Sequence, residues 1–234
     1  MPAWTGVLEH LVVMGDIRAV LFDFGDTLFH HADGDRAINR VAASMGYMVE
    51  PSVAEALWAS IRARARSPQE LAMGRDLSPE LHRTNFLRLF AEADVIGPGM
   101  AEALYVAEID PGSWEPFADS ISTLRSVDAQ GVAIGVVSDT GWDIRPVFAA
   151  HGVAELIGAW ALSYEHGVTK PSPVLFHAAC AALGVTPGET LMVGDNPLTD
   201  GGGSDAGMPV YLLPATDDQE QRGLGHVVRL LGRP

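Results

Sequence analysis

Hydrophobic and polar residues alternate in blocks along this chain, and the first block that stands out is short and wholly apolar. Residues 19–22 read Ala-Val-Leu-Phe and run directly into Asp23. A strand with no polar position is covered on both faces, which is typical of a parallel sheet between two layers of helices. Ligands of such sheets bind beyond the carboxyl ends of the strands, so Asp23 is predicted to lie at a ligand-binding edge.

The pattern changes after Leu28, where apolar residues recur at helical spacing and strand-like runs disappear. Candidate helices cover residues 33–45 and begin again near positions 51, 78 and 98, and the last three carry proline in the first turn. Pro111-Gly112 then ends the helical series. These features predict a helical insertion over residues 30–112.

Helix and strand patterns alternate from position 116 onward. Strands are predicted at 132–137, 159–162, 190–193 and 210–213, with helices ending near 131 and covering 144–151 and 172–183. Alternation of this kind builds a parallel sheet from crossover units. The predicted fold class is therefore α/β, with a Rossmann-like, doubly wound parallel sheet in a core of residues 17–29 and 113–234. Residues 1–16 are predicted to be an N-terminal extension, and a translation start at Met14 instead of Met1 stays open.

The amino-acid composition indicates which kinds of molecule the protein binds. The 234 residues are 47% hydrophobic, which is ample for a packed core, and 30 acidic against 15 basic residues give a formal net charge of -15. This charge argues against nucleic-acid binding, which depends on Lys and Arg neutralising phosphates. The single cysteine suits a reducing compartment, and no apolar run reaches the ~18 residues of a membrane span. We expect a cytoplasmic protein with a small-molecule partner, no nucleic acid and no membrane; the oligomeric state stays open.

Two further predicted strands end on residues that suit a phosphate site. One runs into Ser138-Asp139-Thr140, where a hydroxyl and free backbone amides can hold a phosphate oxygen. Another runs into Gly194-Asp195, with Asp200 five residues later. The chain also contains one lysine, Lys170, among fourteen arginines. A compact ammonium fits a cramped position between a carboxylate and a phosphate better than the planar fork of arginine does.

These acidic residues would repel one another if they met. At ~5 Å and an effective dielectric constant of 20, each pair among Asp23, Asp195 and Asp200 is unfavourable by roughly 3 kcal/mol. Lys170 can supply one compensating cation and a divalent metal ion the other. A donor set made only of oxygen favours Mg²⁺.

In order and residue type, these motifs resemble those of the haloacid dehalogenase-like superfamily, whose members are mostly phosphatases. Its four motifs are matched in turn by Asp23 to Leu28, by Ser138, by Lys170, and by Gly194-Asp195 with Asp200. The helical insertion falls where that family carries a C1-type cap. The resemblance covers nearly the whole chain.

The resemblance implies a Mg²⁺-dependent phosphatase of a small phosphorylated metabolite. Asp23 would attack phosphorus to form an aspartyl-phosphate, while Asp200 would position Lys170 or metal-bound water. The metal ion would be held by Asp23, Asp195 and the backbone carbonyl of Gly25. The phosphate would be contacted by Thr27, Ser138, Asp139 and Lys170.

The chain departs from the family pattern two residues after the nucleophile. Phosphatases of the family carry a second aspartate there, which protonates the leaving oxygen and then activates water; this chain has Gly25, followed by Asp26. General acid-base catalysis contributes about 10²–10⁴ in rate. Three interpretations stay open: Asp26 turns inward as the catalytic acid, His30 or His31 serves instead, or hydrolysis is slow.

Two other functions remain compatible with the sequence. The family's dehalogenases also lack the second aspartate, which permits a 2-haloacid dehalogenase-type hydrolase, although the pair Asp195 and Asp200 argues for a metal that dehalogenation does not need. A catalytically weak binding or regulatory protein is the other alternative.

The insertion itself gives little indication of a substrate. Arg62, Arg64 and Arg66 alternate with alanine and are predicted to form a solvated face, and Trp58 is predicted to lie in the core.

Overall fold

The computed structural model describes residues 16–32, 36–214 and 222–232. Apart from Asp16, the predicted N-terminal extension lies outside the described residues. The strands are β1 (Ala19–Phe22), β2 (Phe29–His31), β3 (Trp114–Pro116), β4 (Ala133–Ser138), β5 (Ile157–Leu162), β6 (Thr190–Gly194) and β7 (Val210–Leu212). The helices are α1 (Ala37–Ser44), α2 (Pro51–Ala65), α3 (Pro68–Leu71), α4 (Pro79–Phe90), α5 (Met100–Glu108), α6 (Ser120–Ala129), α7 (Arg145–Ala150), α8 (Ser163–His166), α9 (Pro173–Leu183) and α10 (Gly225–Leu230).

Five strands form one sheet in the order β5-β4-β1-β6-β7, and every neighbouring pair is parallel. The strand β1 is central, with β4 on one side and β6 on the other. The carboxyl ends of these three strands therefore lie side by side at one edge. This arrangement confirms the predicted α/β class and explains how residues far apart in sequence reach one place.

Helices cover both faces of the sheet. Val20 and Phe22 of β1 face a cluster that also contains Leu124 of α6, Phe148 of α7 and Val227 of α10. The alternate residue of β1, Leu21, faces a second cluster built largely on α9, with Leu175, Phe176 and Ala179 among its members. Because successive residues of a strand point to opposite faces, the wholly apolar sequence of β1 is the one that a doubly covered sheet requires.

The chain from α1 to α5 has its own apolar cluster, which includes Ile38, Trp58, Phe90 and Leu104. The strand β2 connects the core sheet to α1, and β3 connects α5 back to the core. These two strands pair as an antiparallel ribbon, with His31 opposite Trp114. The sequence pattern did not predict this ribbon, because three-residue strands are too short to show a period. Among the described residues, no helix combines the length and apolarity that a bilayer crossing requires.

Candidate active site

Three strand ends meet on the wall of one cavity of about 520 Å³. Asp23 follows β1, Ser138 is the last residue of β4, and Asp195 follows β6. The backbone N–H of Asp23 donates to the carbonyl of Val193 in the neighbouring strand at 2.9 Å, which fixes the start of the loop that carries the carboxylate. All three side chains predicted from separate strand ends thus share a cavity.

Lys170 lies between two carboxylates on the wall of this cavity. Its Nζ is 2.7 Å from Oδ1 of Asp23 and 2.6 Å from Oδ1 of Asp200, and its side chain is 3% exposed. The backbone N–H of Lys170 also donates to Oδ1 of Asp139 at 2.8 Å. The single lysine of the chain is therefore an internal counter-ion, held at its backbone by a third acidic side chain.

Asp200 is fully buried, and both of its carboxylate oxygens have partners. One accepts from Lys170, and the other accepts from the backbone N–H of Asn196 at 2.9 Å. A Cβ added at Gly194 would lie 2.2 Å from Cγ of Asp200, so the carboxylate occupies space that only glycine leaves open. Asp200 is thus positioned to orient Lys170.

Asp195 reaches the same cluster from the end of β6. Ligand oxygens of Asp23, Asp195 and Asp200 all lie within 4.8 Å of one another. The hydroxyl of Thr27 donates to Oδ1 of Asp195 at 3.1 Å, and Thr27 is fully buried. The structure therefore places Thr27 behind Asp195 and not among the residues that line the cavity.

The electrostatics of the cluster favour an added cation. Burial raises the pKa of Asp23 to about 8; Lys170 opposes this rise, and Asp200 and Asp195 add to it. Burial also raises the pKa of Asp195, and it raises that of Asp139 to about 6 against the effect of Lys170. Burial disfavours the charged form of Lys170, yet Asp23 and Asp200 hold its pKa above the ordinary value. The cluster offers only oxygen donors, and its three carboxylates, those of Asp23, Asp195 and Asp200, outnumber its one ammonium, that of Lys170. Such a donor set fits Mg²⁺.

The loop after β1 presents Gly25 and Asp26 to the cavity. Asp26 adopts a left-handed backbone conformation with φ of 54°, and its N–H donates to the carbonyl of Phe29 at 2.9 Å. Its carboxylate is exposed and lies 3.3 Å from a guanidinium nitrogen of Arg66. The predicted catalytic candidate Asp26 therefore lies at the cavity mouth, paired with an arginine of the insertion.

Arg222 is a site residue that the sequence analysis missed. It is 4% exposed, its Nε donates to the backbone carbonyl of Asp26 at 2.6 Å, and another guanidinium nitrogen lies 4.0 Å from Asp195. It follows the sheet by many residues in a segment without a strand-end pattern. Only the tertiary structure brings it to the site.

The insertion supplies the opposite wall of the main cavity. Arg75 and Asp76 form an ion pair at 3.2 Å there, and Glu108 and His82 lie nearby. Burial, together with Arg75, lowers the pKa of His82 to about 3, and its Nδ1 lies 3.3 Å from the hydroxyl of Tyr105. His82 is therefore neutral at physiological pH.

A smaller cavity of about 190 Å³ adjoins the first at Gly25. His30, His31, Trp58 and Arg62 line it, together with Gly25, Asp26, Arg66, Glu108 and Trp114, which line both cavities. Arg62 and Arg66 are exposed, as predicted for a solvated face, and both also line this cavity, because residues four apart share one face of a helix. Arg64 points elsewhere and donates to the carbonyl of Leu89.

Comparisons with known proteins give matches over most of this chain. Residues 17–207 match the family model described as haloacid dehalogenase-like hydrolase. The chain is 28% identical over 213 residues to haloacid dehalogenase-like hydrolase domain-containing protein 3 of Danio rerio, which spans 87% of this chain and 88% of that protein. It is 30% identical over 184 residues to glyceraldehyde 3-phosphate phosphatase of Methanopyrus kandleri, which spans 76% of each. A solved dehalogenase structure matches the fold with a TM-score of 0.71 at 20% identity, over 94% of this chain and 99% of that one.

Proposed function

The chain belongs to the haloacid dehalogenase-like hydrolases, and we propose that it is a Mg²⁺-dependent phosphatase of a small phosphorylated metabolite that forms an aspartyl-phosphate on Asp23. One observation carries this proposal: a buried ammonium lies between Asp23 and Asp200, with Asp195 beside them on a cavity that also holds Ser138. A carboxylate and an anionic substrate repel each other, and a fixed cation beside the carboxylate offsets this repulsion.

Each core residue has a distinct task in the proposed reaction. An oxygen of Asp23 attacks phosphorus while the bond to the leaving oxygen breaks, and water then attacks the aspartyl-phosphate to release phosphate and restore Asp23. Lys170 neutralises charge shared by Asp23 and the phosphoryl group, and Asp200 holds Lys170 in place. Ser138 and the backbone N–H of Asp139 hold phosphate oxygens, whereas the N–H of Thr140, predicted to be free, donates to the hydroxyl of Ser163 at 2.8 Å. Such catalysis depends mainly on positioning and electrostatics.

The metal ion would be held by Asp23, Asp195 and the backbone carbonyl of Gly25. Both oxygens of Asp200 are engaged by hydrogen bonds, which leaves Asp23 and Asp195 as the available carboxylates. When bound, Mg²⁺ supplies positive charge to the transferred phosphoryl group. We assign Thr27 to the orientation of Asp195, because its hydroxyl bonds to that carboxylate.

The dimensions of the site support a small substrate. The main cavity of about 520 Å³ falls in the range of small-molecule sites, roughly 300–1,000 Å³. Its walls combine the core residues with Arg75, His82 and Phe86 of the insertion, which we interpret as a cap that selects the leaving group. A net charge of -15 supports a partner other than nucleic acid.

Product analysis tests the proposal. The purified protein is incubated with a panel of phosphorylated metabolites and, separately, with 2-haloacids, each with Mg²⁺ and with excess EDTA. We expect phosphate release that requires Mg²⁺ and is abolished in Asp23→Asn. Halide release that is insensitive to EDTA would establish the dehalogenase alternative. Mg²⁺-dependent trapping of BeF₃⁻ with no turnover on any phosphate ester would establish a binding protein.

A further inference from the structure

Glu108 is a titratable group on the wall of the main cavity that the reaction described above leaves without a task. It is the last residue of α5, it is partly buried, and it lines both cavities. Within residues 16–32, 36–214 and 222–232, its carboxylate has no hydrogen bond and no ion pair. A carboxyl group that faces a catalytic cavity and has no structural partner is available for chemistry.

Glu108 also lies close to the place where the usual acid is missing. A Cβ added at Gly25 would have a single near neighbour, Cζ3 of Trp114 at 4.0 Å. The indole N–H of Trp114 donates to the backbone carbonyl of Glu108 at 2.9 Å. One tryptophan side chain thus connects the empty position beside Gly25 with the residue that carries the unused carboxyl group.

The surroundings of Glu108 suit proton transfer near neutral pH. Burial raises the pKa of Glu108 to about 7, Arg75 opposes the rise, and Asp76 and Asp26 add to it. A general acid works best when its pKa lies near the operating pH. The other charged or titratable side chains that share a cavity wall with it are Asp23, His30, His31, Arg62, Arg66, His82, Asp139, Lys170 and Asp195.

The other candidates are less suitable. Asp26 is exposed and paired with Arg66, and Asp76 is paired with Arg75. His82 is neutral, and therefore has no proton of suitable acidity to give, because its pKa is about 3.

The two histidines of β2 are less suitable as well. His30 and His31 line only the smaller cavity, which does not include Asp23. Glu108 shares the larger cavity with that nucleophile.

We propose, on the basis of the proposed phosphatase function, that Glu108 of the insertion is the general acid and base. As the oxygen of Asp23 bonds to phosphorus and the P–O bond to the leaving group breaks, the carboxyl group of Glu108 gives its proton to the leaving oxygen. The resulting carboxylate then takes a proton from the water that attacks the aspartyl-phosphate. This second step breaks the bond between phosphorus and Asp23, releases phosphate and returns Glu108 to its protonated form.

The experiment compares the E108Q variant with wild type on two substrates in the presence of Mg²⁺. Phenyl phosphate has a poor leaving group that needs a proton, whereas 2,4-dinitrophenyl phosphate has a leaving group that needs none. We expect kcat of E108Q on phenyl phosphate to fall by about 10²–10⁴-fold. On the dinitrophenyl ester we expect a rapid burst of one dinitrophenolate per site at the wild-type rate, followed by slow turnover, because only the second step then lacks its base.

The matched control is Glu102→Gln on the same helix. Glu102 is exposed and paired with Arg83, so this variant should retain wild-type kinetics on both esters. A kcat of E108Q within threefold of wild type on phenyl phosphate would overturn the assignment. An equal slowing of the first step on both esters would also overturn it, because it would indicate a structural role. An inactive wild type would instead refute the phosphatase function itself.

Discussion

Replacing Lys170 by methionine tests the electrostatics at the centre of the site. The variant keeps an unbranched side chain but removes the ammonium, whose nitrogen lies 2.7 Å from Asp23 and 2.6 Å from Asp200. At an effective dielectric constant of 20, one such pair at ~2.7 Å attracts by about 6 kcal/mol. Burial of the charged groups costs several kcal/mol per ion, and the removal of one partner from a buried pair costs about 3–5 kcal/mol.

In the proposed reaction the same ammonium would face the charge that Asp23 and the transferred phosphoryl group share. A loss of about 3–5 kcal/mol in the transition state lowers kcat by about 10²–10⁴-fold. The free energy of unfolding should change less, because Asp23, whose pKa burial raises to about 8, can take up a proton and thus avoid being an unpaired buried charge. The assays are phosphate release from p-nitrophenyl phosphate with saturating Mg²⁺, and urea unfolding followed by tryptophan fluorescence.

Two further variants separate charge from geometry. Lys170→Arg keeps the positive charge on a planar fork, which does not fit a buried position between two carboxylates, so most of the activity should still be lost. Arg18→Met removes an exposed cation paired with Glu189 and should leave kcat unchanged. If Lys170→Met retained kcat within threefold of wild type while unfolding normally, the assigned role of the ammonium would be refuted.

Three other predictions concern residues in or beside the same cavity. Gly194→Ala should lower kcat at least tenfold because its Cβ would displace the carboxylate of Asp200, whereas Gly201→Ala, with no atom within 4 Å of the added Cβ, should be neutral in the same assay. Mg²⁺ should raise the melting temperature of wild type but not of Asp195→Asn; an equal rise in both would exclude Asp195 as a ligand. His82 has a folded-state pKa of about 3, below its unfolded value, so the unfolded state binds the extra proton and stability should fall by up to about 5 kcal/mol as pH drops from 6.5 to 3. His82→Phe should flatten that slope in urea titrations, and an unchanged slope would contradict the assignment.

The site residues that belong to the sheet core were predictable, because a short sequence pattern marks each of them. Asp23, Ser138 and Asp195 each follow an apolar run, and the rule that parallel strands end at a common edge brings them together without further information. Lys170 was identified by composition, as the one lysine of the chain. The helices α7 and α9 were predicted to within about one residue, and the end of α6 to within two, whereas the short helices α8 and α10 were not predicted.

No comparable rule predicts which residues of the insertion reach the site. Helical periodicity shows which face of α2 or α5 is apolar, but it does not show which loop of the core that helix will cover. Glu108 and Arg66 reach the cavity only because the ribbon of β2 and β3 fixes how the insertion leaves and re-enters the core. Arg222 arrives from the end of the chain through a backbone contact with the loop after β1.

Gly25 illustrates what packing adds to a sequence motif. Its backbone is outside the left-handed region, and the nearest atom to an added Cβ is 4.0 Å away, so neither conformation nor space requires glycine there. Gly25 also lines both cavities, so a side chain at this position would take space that adjoins them. Glycine therefore leaves this space free at the position where the family's phosphatases carry an acid. In the proposed phosphatase reaction, a leaving group that extends past Gly25 toward Trp58 would gain room from this exchange, and its proton would come from Glu108 of the insertion.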